Sequence, residues 1–185
     1  MNDSALKLRM MIVTALFAAI IGVLAQLVIP LPLVPITGQT LAIGLAATIL
    51  GSRYGTLSTL LYIALGAVGV PVFAQMSAGL GVIVGPTGGF IIGFIPAAFI
   101  IGYYLEKTSF TIINALIANI IGMFITLIFG TVWLKIAADL TWTAAFLGGF
   151  APFIIGGLIK AFLASWIGII VRNRLEKANL LYIRP

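Results

Sequence analysis

Several residue types that support enzyme chemistry are missing or rare in this sequence of 185 residues. It contains no cysteine and no histidine, and its acidic residues are Asp3, Glu106, Asp139 and Glu176. These absences exclude disulfides, thiol nucleophiles, imidazole bases and the usual zinc sites. None of the acids lies in the middle of an apolar run, where proton-coupled membrane transporters commonly need an ionisable relay. We therefore predict that the chain is not an enzyme and that it needs no metal or cofactor.

Charge of either sign is scarce, whereas apolar residues are abundant. Charged residues make up 8% of the chain and hydrophobic residues 62%. Soluble domains are nearer about a quarter charged and about half apolar. Disordered chains are also excluded, because they are poor in apolar residues and rich in charge. The composition predicts an integral membrane protein with little mass outside the bilayer.

Six apolar runs are long enough to cross a bilayer, which takes about 20 residues of helix. The runs cover residues 10–29, 33–50, 54–70, 90–105, 110–134 and 144–171. Because they are continuously apolar, they do not resemble the alternating strands of about ten residues that form membrane barrels. Pro152, Gly156 and Gly157 in the last run predict a kink or break beside a cavity. We predict an all-α integral membrane protein, with residues 1–185 forming a single domain of six transmembrane helices.

The basic residues predict the orientation of these helices. Those on the side of the chain termini are Lys7, Arg9, Arg53, Lys107, Arg172, Arg174, Lys177 and Arg184. The opposite loops contain Lys135, and Lys160 lies inside the sixth run. By the positive-inside rule, the protein is a multi-pass protein of the cell membrane with both termini cytoplasmic. The basic residues that set this topology in membrane lipid also account for the net charge of +6. We therefore predict no nucleic acid partner.

The loops on the predicted outer side are long and apolar. Residues 30–37 connect the first two runs, and residues 71–89 connect the third and fourth. Irregular backbone at membrane depth is tolerated only against protein or a cavity. We therefore predict that these outer loops act as lids over a pocket. The alternative is a re-entrant loop that packs on the helices without covering a pocket.

Lys160 is the strongest single candidate for a functional residue. It precedes the end of the sixth run by about eleven residues, or roughly 16 Å of helix, so snorkelling to water is difficult. A lysine at this depth costs about 3 kcal/mol on insertion scales, and no acid lies within a turn or two of it. We predict that Lys160 faces a polar cavity and meets an anionic or carbonyl-rich ligand. The alternative is a lysine satisfied by backbone carbonyls near Gly156 and Gly157.

Two helix starts on the outer side provide further candidates for ligand binding. The fourth run is opened by Thr87, Gly88 and Gly89, and the free N–H groups of such a start attract a carboxylate or carbonyl. The alternative for this stretch is ordinary capping and close packing. Gln39 opens the second run and offers two hydrogen-bond donors and an acceptor. We predict that these residues bind substrate.

Other residues in the apolar runs are typical of contacts between helices. Asn114 and Asn119 are interpreted as polar residues that join helices, with cavity lining as the alternative. Ala15 and Ala19 lie four residues apart on one face of the first run. Because small residues let helices approach closely, we interpret this face as a docking surface for a helix of this chain or of a partner.

Five stretches, taken together and in order, resemble the BioY family, the biotin-binding substrate (S) components of energy-coupling-factor (ECF) transporters. They are Val34 to Thr40, Leu50 to Gly55, Leu65 to Phe73, Gly85 to Phe90 and the segment around Lys160. The resemblance runs from about Ala15 to Val171 and implies high-affinity biotin binding and uptake, with biotin as the transported ligand. It also implies a transmembrane coupling subunit that docks on Ala15 and Ala19, and two ATPase subunits that power transport. The chain has no P-loop motif of its own.

The resemblance also implies particular ligand contacts. The family pattern P-V-F-A-G-G-x-G-G reads Pro71-Val-Phe-Ala-Gln-Met-Ser-Ala-Gly79 here, which implies substrate contacts from Gln75, Ser77 and Gly79. The family pattern G-D-x-x-K reads Gly156-Gly157-Leu-Ile-Lys160, so the lysine is retained and Gly157 replaces the aspartate. Gly157 can offer only backbone groups to a substrate. These departures leave two alternatives open: an S component for another small vitamin, and a ligand-free structural subunit of a membrane complex.

Overall fold

A computed structural model describes residues 3–178 and 180–181 of the chain. It begins with α1 (Asp3–Leu24) and a short antiparallel pair of strands, β1 (Val28–Ile29) and β2 (Ile36–Thr37). The later helices are α2 (Gln39–Ala67), α3 (Leu80–Val84), α4 (Gly88–Lys107), α5 (Ile112–Ala137), α6 (Trp142–Gly149) and α7 (Phe153–Lys177). A 3-10 helix at Ala74–Met76 precedes α3. The predicted all-α class is confirmed, and the helices fit the six predicted crossings once the two parts of α2, before and after Gly51, are counted separately.

The α2 helix folds back on itself as two antiparallel arms, residues 39–50 and 52–67. The backbone at Gly51 has φ 80° and ψ −173°, which is not helical. Gln39 and Tyr62 are hydrogen-bonded to each other although 23 positions separate them. A continuous helix would hold them about 34 Å apart. The reversal therefore lies at Gly51, where a residue without a Cβ adopts positive φ readily.

The structure divides the last predicted run and shortens the first. The run 144–171 is interrupted between α6 and α7, because Pro152 lacks an N–H group and disfavours a helical residue before it. The run 10–29 stops being helical after Leu24, since residues 28–29 pair as β1 with β2. Within the part of the chain that the structure describes, four segments are long and apolar enough to cross a membrane: Lys7–Leu24, Gly88–Lys107, Ile112–Ala137 and Trp142–Lys177.

The helices pack through small side chains. α4 lies against both α5 and α2, while α1 and α7 pack on α2. Buried alanines occupy these contacts, and they include Ala42, Ala46, Ala47, Ala97, Ala98, Ala115 and Ala118. In lipid the association of helices depends on close packing and on hydrogen bonds between helices, because lipid tails are as apolar as the side chains. This composition of the helix contacts suits a membrane protein.

Two charged side chains satisfy backbone groups that the break in α2 leaves free. Helix ends have carbonyl and N–H groups without partners in the helix. Arg172 Nη1 donates to the carbonyl oxygen of Ile49, at 2.7 Å, where the first arm ends. Glu106 Oε1 accepts from Ser52 N, and Glu106 Oε2 accepts from Ser52 Oγ, both at 2.7 Å, where the second arm begins. We call this end of the bundle, where α4 and α7 finish, the terminal end, and the opposite end the pocket end.

Gly102 of α4 packs directly on the backbone of this reversal, against Gly51 and Ser52. We expect Gly102→Ala to destabilise the protein by about 1–3 kcal/mol, because the added methyl has no space beside a rigid backbone. The matched control is Gly156→Ala in α7, where the added carbon meets no atom of the described residues within 4 Å outside its own stretch of helix. Thermal unfolding in detergent checks this prediction, and equal unfolding temperatures for the two variants would contradict it.

Candidate functional site

A cavity of about 380 Å³ lies at the pocket end, between two loops and the helices α2, α4, α5 and α7. Its walls are mainly apolar and aromatic, with contributions from Ile43, Phe73, Phe90, Ile91, Phe94, Met123, Leu127 and Phe153. The loops that border it are the hairpin loop (residues 30–37) and the lid loop (residues 71–79). Small-molecule sites are concave, mostly apolar and about 300–1,000 Å³ in volume. The size and lining of this cavity suit one small organic molecule.

Lys160 lies on the wall of this cavity. Among the described residues that line the cavity, Lys160 carries the one charged side chain. It is half-buried, and its Nζ donates to the carbonyl oxygen of Thr37 in the hairpin loop, at 3.0 Å. This carbonyl comes from across the bundle and does not belong to the Gly156–Gly157 region. Lys160 therefore has a backbone partner and also presents a cation to the cavity, where it favours an anionic group.

Gln39 connects Thr37, the hydrogen-bond partner of Lys160, to the interior of the bundle. Gln39 Oε1 accepts from Thr37 Oγ1, at 2.8 Å, and Gln39 Nε2 donates to Tyr62 Oη. Tyr62 is fully buried, and its ring meets the ring of Phe73 edge-on, with centroids 5.6 Å apart. Because Gln39 and Phe73 both line the cavity, Tyr62 supports two of its walls from behind.

The lid loop brings two of its three predicted contacts to the cavity. Gln75 and Ser77 line it, whereas Gly79 does not. Gly79 instead turns the chain with φ 93° and donates its N–H to the carbonyl oxygen of Gly66, at 2.7 Å. Gln75 and Met76 adopt φ values of 58° and 55°, the left-handed region that glycine favours. The resemblance placed glycines at these two positions, and here Gln75 and Met76 adopt glycine-like φ angles although they carry side chains.

The start of α4 contributes Thr87 to the cavity, but not Gly88 or Gly89. Gly88 lies directly against the backbone of Ile83, and Gly89 lies against the side chain of Trp133. The short helix α3 therefore covers Gly88, and α5 covers Gly89. Both glycines are closely packed against protein, as the alternative interpretation of this stretch expects.

Gly157 lines the cavity beside Met123. A Cβ at position 157 would meet the Sδ and Cγ atoms of Met123. The thioether of Met123 thus occupies space that a side chain at position 157 would need. This explains how the chain accommodates glycine where the resemblance implies aspartate, and it makes this part of the wall apolar.

Asn119 both joins helices and lines the cavity. Its Nδ2 atom lies 3.0 Å from Thr48 Oγ1 on α2 and 3.2 Å from Ser165 Oγ on α7. It also donates to the carbonyl oxygen of Ala115, one turn earlier on α5, at 2.9 Å. The same residue borders the cavity. Asn114, by contrast, is at the exposed start of α5 and bonds to Ser109.

Two polar residues near the cavity had not been singled out as candidates. Thr40 lines the cavity, and its Oγ1 is buried without a hydrogen-bond partner among the described residues. Gln26 follows α1 and hydrogen-bonds to the lid loop. In the sequence, the one sign of a role for Gln26 is that this polar side chain lies near the end of a long apolar run.

The proposed docking residues lie on a free face of the protein. Ala15 and Ala19 of α1 are exposed, whereas Phe17 and Ala18 are buried against the bundle. The exposed face continues through Met11. No described helix of this chain covers Ala15 or Ala19, which leaves a partner helix as the candidate for docking there.

Comparisons with known proteins agree with this architecture. A model of the BioY family matches residues 1–177. Biotin transporter BioY2 of Lactococcus lactis subsp. cremoris is 41% identical over 173 residues, covering 94% of this chain and 95% of that protein. Biotin transporter BioY of Thermotoga maritima is 39% identical over 174 residues, covering 94% and 99% respectively. A crystal structure of the S-component for biotin from an ECF-type ABC transporter matches with a TM-score of 0.85 and 29% identity, covering 94% of this chain and 95% of that one. Confirming the resemblance found in its sequence, the chain belongs to the BioY family.

Proposed function

We propose that this chain binds biotin in the cavity and takes part in biotin uptake as the S component of an ECF-type ABC transporter. The observation that carries the proposal is Lys160, a cation on the wall of an otherwise apolar and aromatic cavity of about 380 Å³. Biotin needs such a site, since it combines an apolar thioether ring and tail with a ureido group and one carboxylate. The relatives that are named as biotin transporters support the same ligand.

In the proposed complex, Lys160 binds the carboxylate of biotin in place of the carbonyl of Thr37. The ring and tail lie against the aromatic walls, which are not polar enough to hold water tightly. Gln39, Gln75 and Ser77 provide hydrogen bonds to the polar groups of the ligand, and Thr87 and the backbone of Gly157 border the same space. The packed positions of Gly79, Gly88 and Gly89 give them a role in shaping the backbone.

The proposed partners are a transmembrane coupling subunit and two ATPase subunits. The chain has no P-loop, so energy for uphill transport has to come from another polypeptide. The exposed face around Ala15 and Ala19 offers the coupling subunit a surface that a helix can approach closely.

The second candidate is an S component for another small vitamin. The apolar wall formed by Met123 and Gly157 favours it, because the aspartate implied by the resemblance is absent there. Mass spectrometry of small molecules extracted from the purified chain separates the candidates. We expect biotin at about one molecule per chain. Another vitamin would support the second candidate, and no bound compound after purification with excess biotin would favour a structural subunit.

The proposed orientation places the lid loop outside the cell and the termini in the cytoplasm, as the distribution of basic residues favours. We expect a Ser77→Cys variant in intact cells to react with a membrane-impermeant thiol reagent and to be protected by biotin. The chain has no native cysteine to confuse the labelling. The control is Lys107→Cys, an exposed residue at the terminal end, which should react only after permeabilisation. The reverse pattern would contradict the orientation, and labelling insensitive to biotin would contradict a lid over the ligand.

A further inference from the structure

Gln26 connects the end of α1 to the lid loop through both ends of its amide. Its Nε2 donates to the carbonyl oxygen of Phe73, at 3.0 Å, and lies 3.4 Å from the carbonyl oxygen of Val72. Its Oε1 accepts from the backbone N–H of Met76, at 2.9 Å. Gln26 itself is anchored to α1, since Nε2 also lies 3.1 Å from the carbonyl oxygen of Gly22. One side chain thus holds the lid loop at both ends of the segment 72–76.

The segment that Gln26 holds is conformationally unfavourable on its own. Gln75 and Met76 both adopt left-handed backbone angles, which residues with a Cβ rarely occupy. The hydrogen bond from Met76 N to Gln26 Oε1 holds the backbone of one of these two residues in place. Strained backbone persists where the surrounding structure determines it. Without Gln26, the segment would lose contacts that oppose its relaxation to ordinary backbone angles.

The same segment forms one side of the cavity. Phe73, Ala74 and Gln75 line it, and the other walls are mostly helices packed against one another. Movement of a loop needs far less rearrangement than separation of packed helices, so the wall is best able to open at its two loops, and Gln26 holds one of them, the lid loop. Gly22 on α1 permits the close approach, because a Cβ there would lie 3.3 Å from Val72 Cβ.

We propose that Gln26 is the latch of the lid loop: its hydrogen bonds to residues 72–76 hold the cavity closed and break each time ligand enters or leaves. Gln26 does not line the cavity, so it is a positioning residue and touches no ligand. The proposal rests on the proposed function, because biotin is the ligand used to follow opening.

Two substitutions of Gln26 test the hydrogen bonds. Gln26→Met keeps the length of the side chain and removes the hydrogen bonds, and we expect it to release bound radiolabelled biotin at least about ten-fold faster than wild type. Gln26→Glu keeps an acceptor for Met76 N but places a carboxylate oxygen against the carbonyl oxygens of Phe73 and Val72, so it should also release biotin faster than wild type. Release at the wild-type rate from both purified variants would overturn the proposal.

A reversible cross-link distinguishes a latch from simple support of the fold. A Cβ at position 22 would lie 3.3 Å from Val72 Cβ. Because disulfides join Cβ atoms about 3.5–4.5 Å apart, a small shift of the loop makes Gly22→Cys with Val72→Cys a disulfide candidate. After loading with radiolabelled biotin, we expect oxidation to slow release at least about ten-fold and reductant to restore it. The single-cysteine variants should not respond. If the cross-linked protein exchanges biotin as fast as the reduced protein, the latch proposal is wrong. Failure of the reduced protein to bind biotin would instead count against the proposed function.

Discussion

Replacing Lys160 with methionine should weaken biotin binding about 10- to 150-fold while the protein remains folded. Hydrogen bonds to charged groups contribute about 1.5–3 kcal/mol, and the variant loses one to the carboxylate. Removal of a cation from the middle of a membrane span should leave insertion intact or improve it. Isothermal titration of the purified variant measures the loss. A dissociation constant close to that of wild type would contradict the role of Lys160.

A matched control and a matched ligand make this test specific. Lys135→Met removes a second cation of the described pocket end, and this residue does not line the cavity. Its Nζ lies over the ring of Trp142, 5.7 Å from the ring centroid. The Lys135→Met variant should bind biotin as wild type does. Biotin methyl ester lacks the carboxylate charge, so wild type should bind it more weakly than biotin. Lys160→Met should discriminate little between the two ligands.

Replacing Ala15 or Ala19 with tryptophan should abolish biotin uptake in cells that contain the full transporter, while biotin binding by the purified chain stays normal. Both residues are exposed and do not line the cavity, so a larger side chain should not disturb the fold. It should, however, keep a partner helix from approaching closely. Uptake of labelled biotin, purified-chain binding and co-purification with the partner subunits give the three measurements.

The control for this prediction is a tryptophan on another exposed face. Ile155 on α7 is 75% exposed, and Ile113 on α5 is 73% exposed. Ile155→Trp and Ile113→Trp should preserve both uptake and co-purification if the α1 face alone docks the partner. Normal co-purification of the Ala15→Trp variant, or equal loss of uptake in all variants, would contradict docking through α1.

The parts of the account that could be predicted from the sequence depend on local properties. Hydropathy over about 20 residues identified the crossings, and the lack of a nearby acid singled out Lys160 as an uncompensated cation. The reversal at Gly51 was also visible, because Gly51, Ser52 and Arg53 interrupt an apolar stretch. The cavity does bring together Lys160, Gln39, Gln75, Ser77, Thr87 and Gly157.

The remaining features depend on contacts between distant parts of the chain. The partner of Lys160 is the backbone of Thr37, 123 positions away, and a backbone carbonyl has no signature in a sequence. Gly88 and Gly89 looked suitable for binding a ligand, but α3 packs on Gly88 and α5 packs on Gly89, which local patterns do not reveal. Gln26 is recognisable as a latch only once the lid loop lies beside α1.

The central claim is that biotin binds in the cavity with its carboxylate on Lys160, and titration of ligand-free purified protein with biotin and its methyl ester tests it most directly. We predict saturation at one biotin per chain, with the ester bound at least about ten-fold more weakly, as expected for loss of a charge-assisted hydrogen bond of about 1.5 kcal/mol. Absence of saturable biotin binding would contradict the assignment of the ligand. Equal affinity for biotin and the ester would contradict the assignment of Lys160.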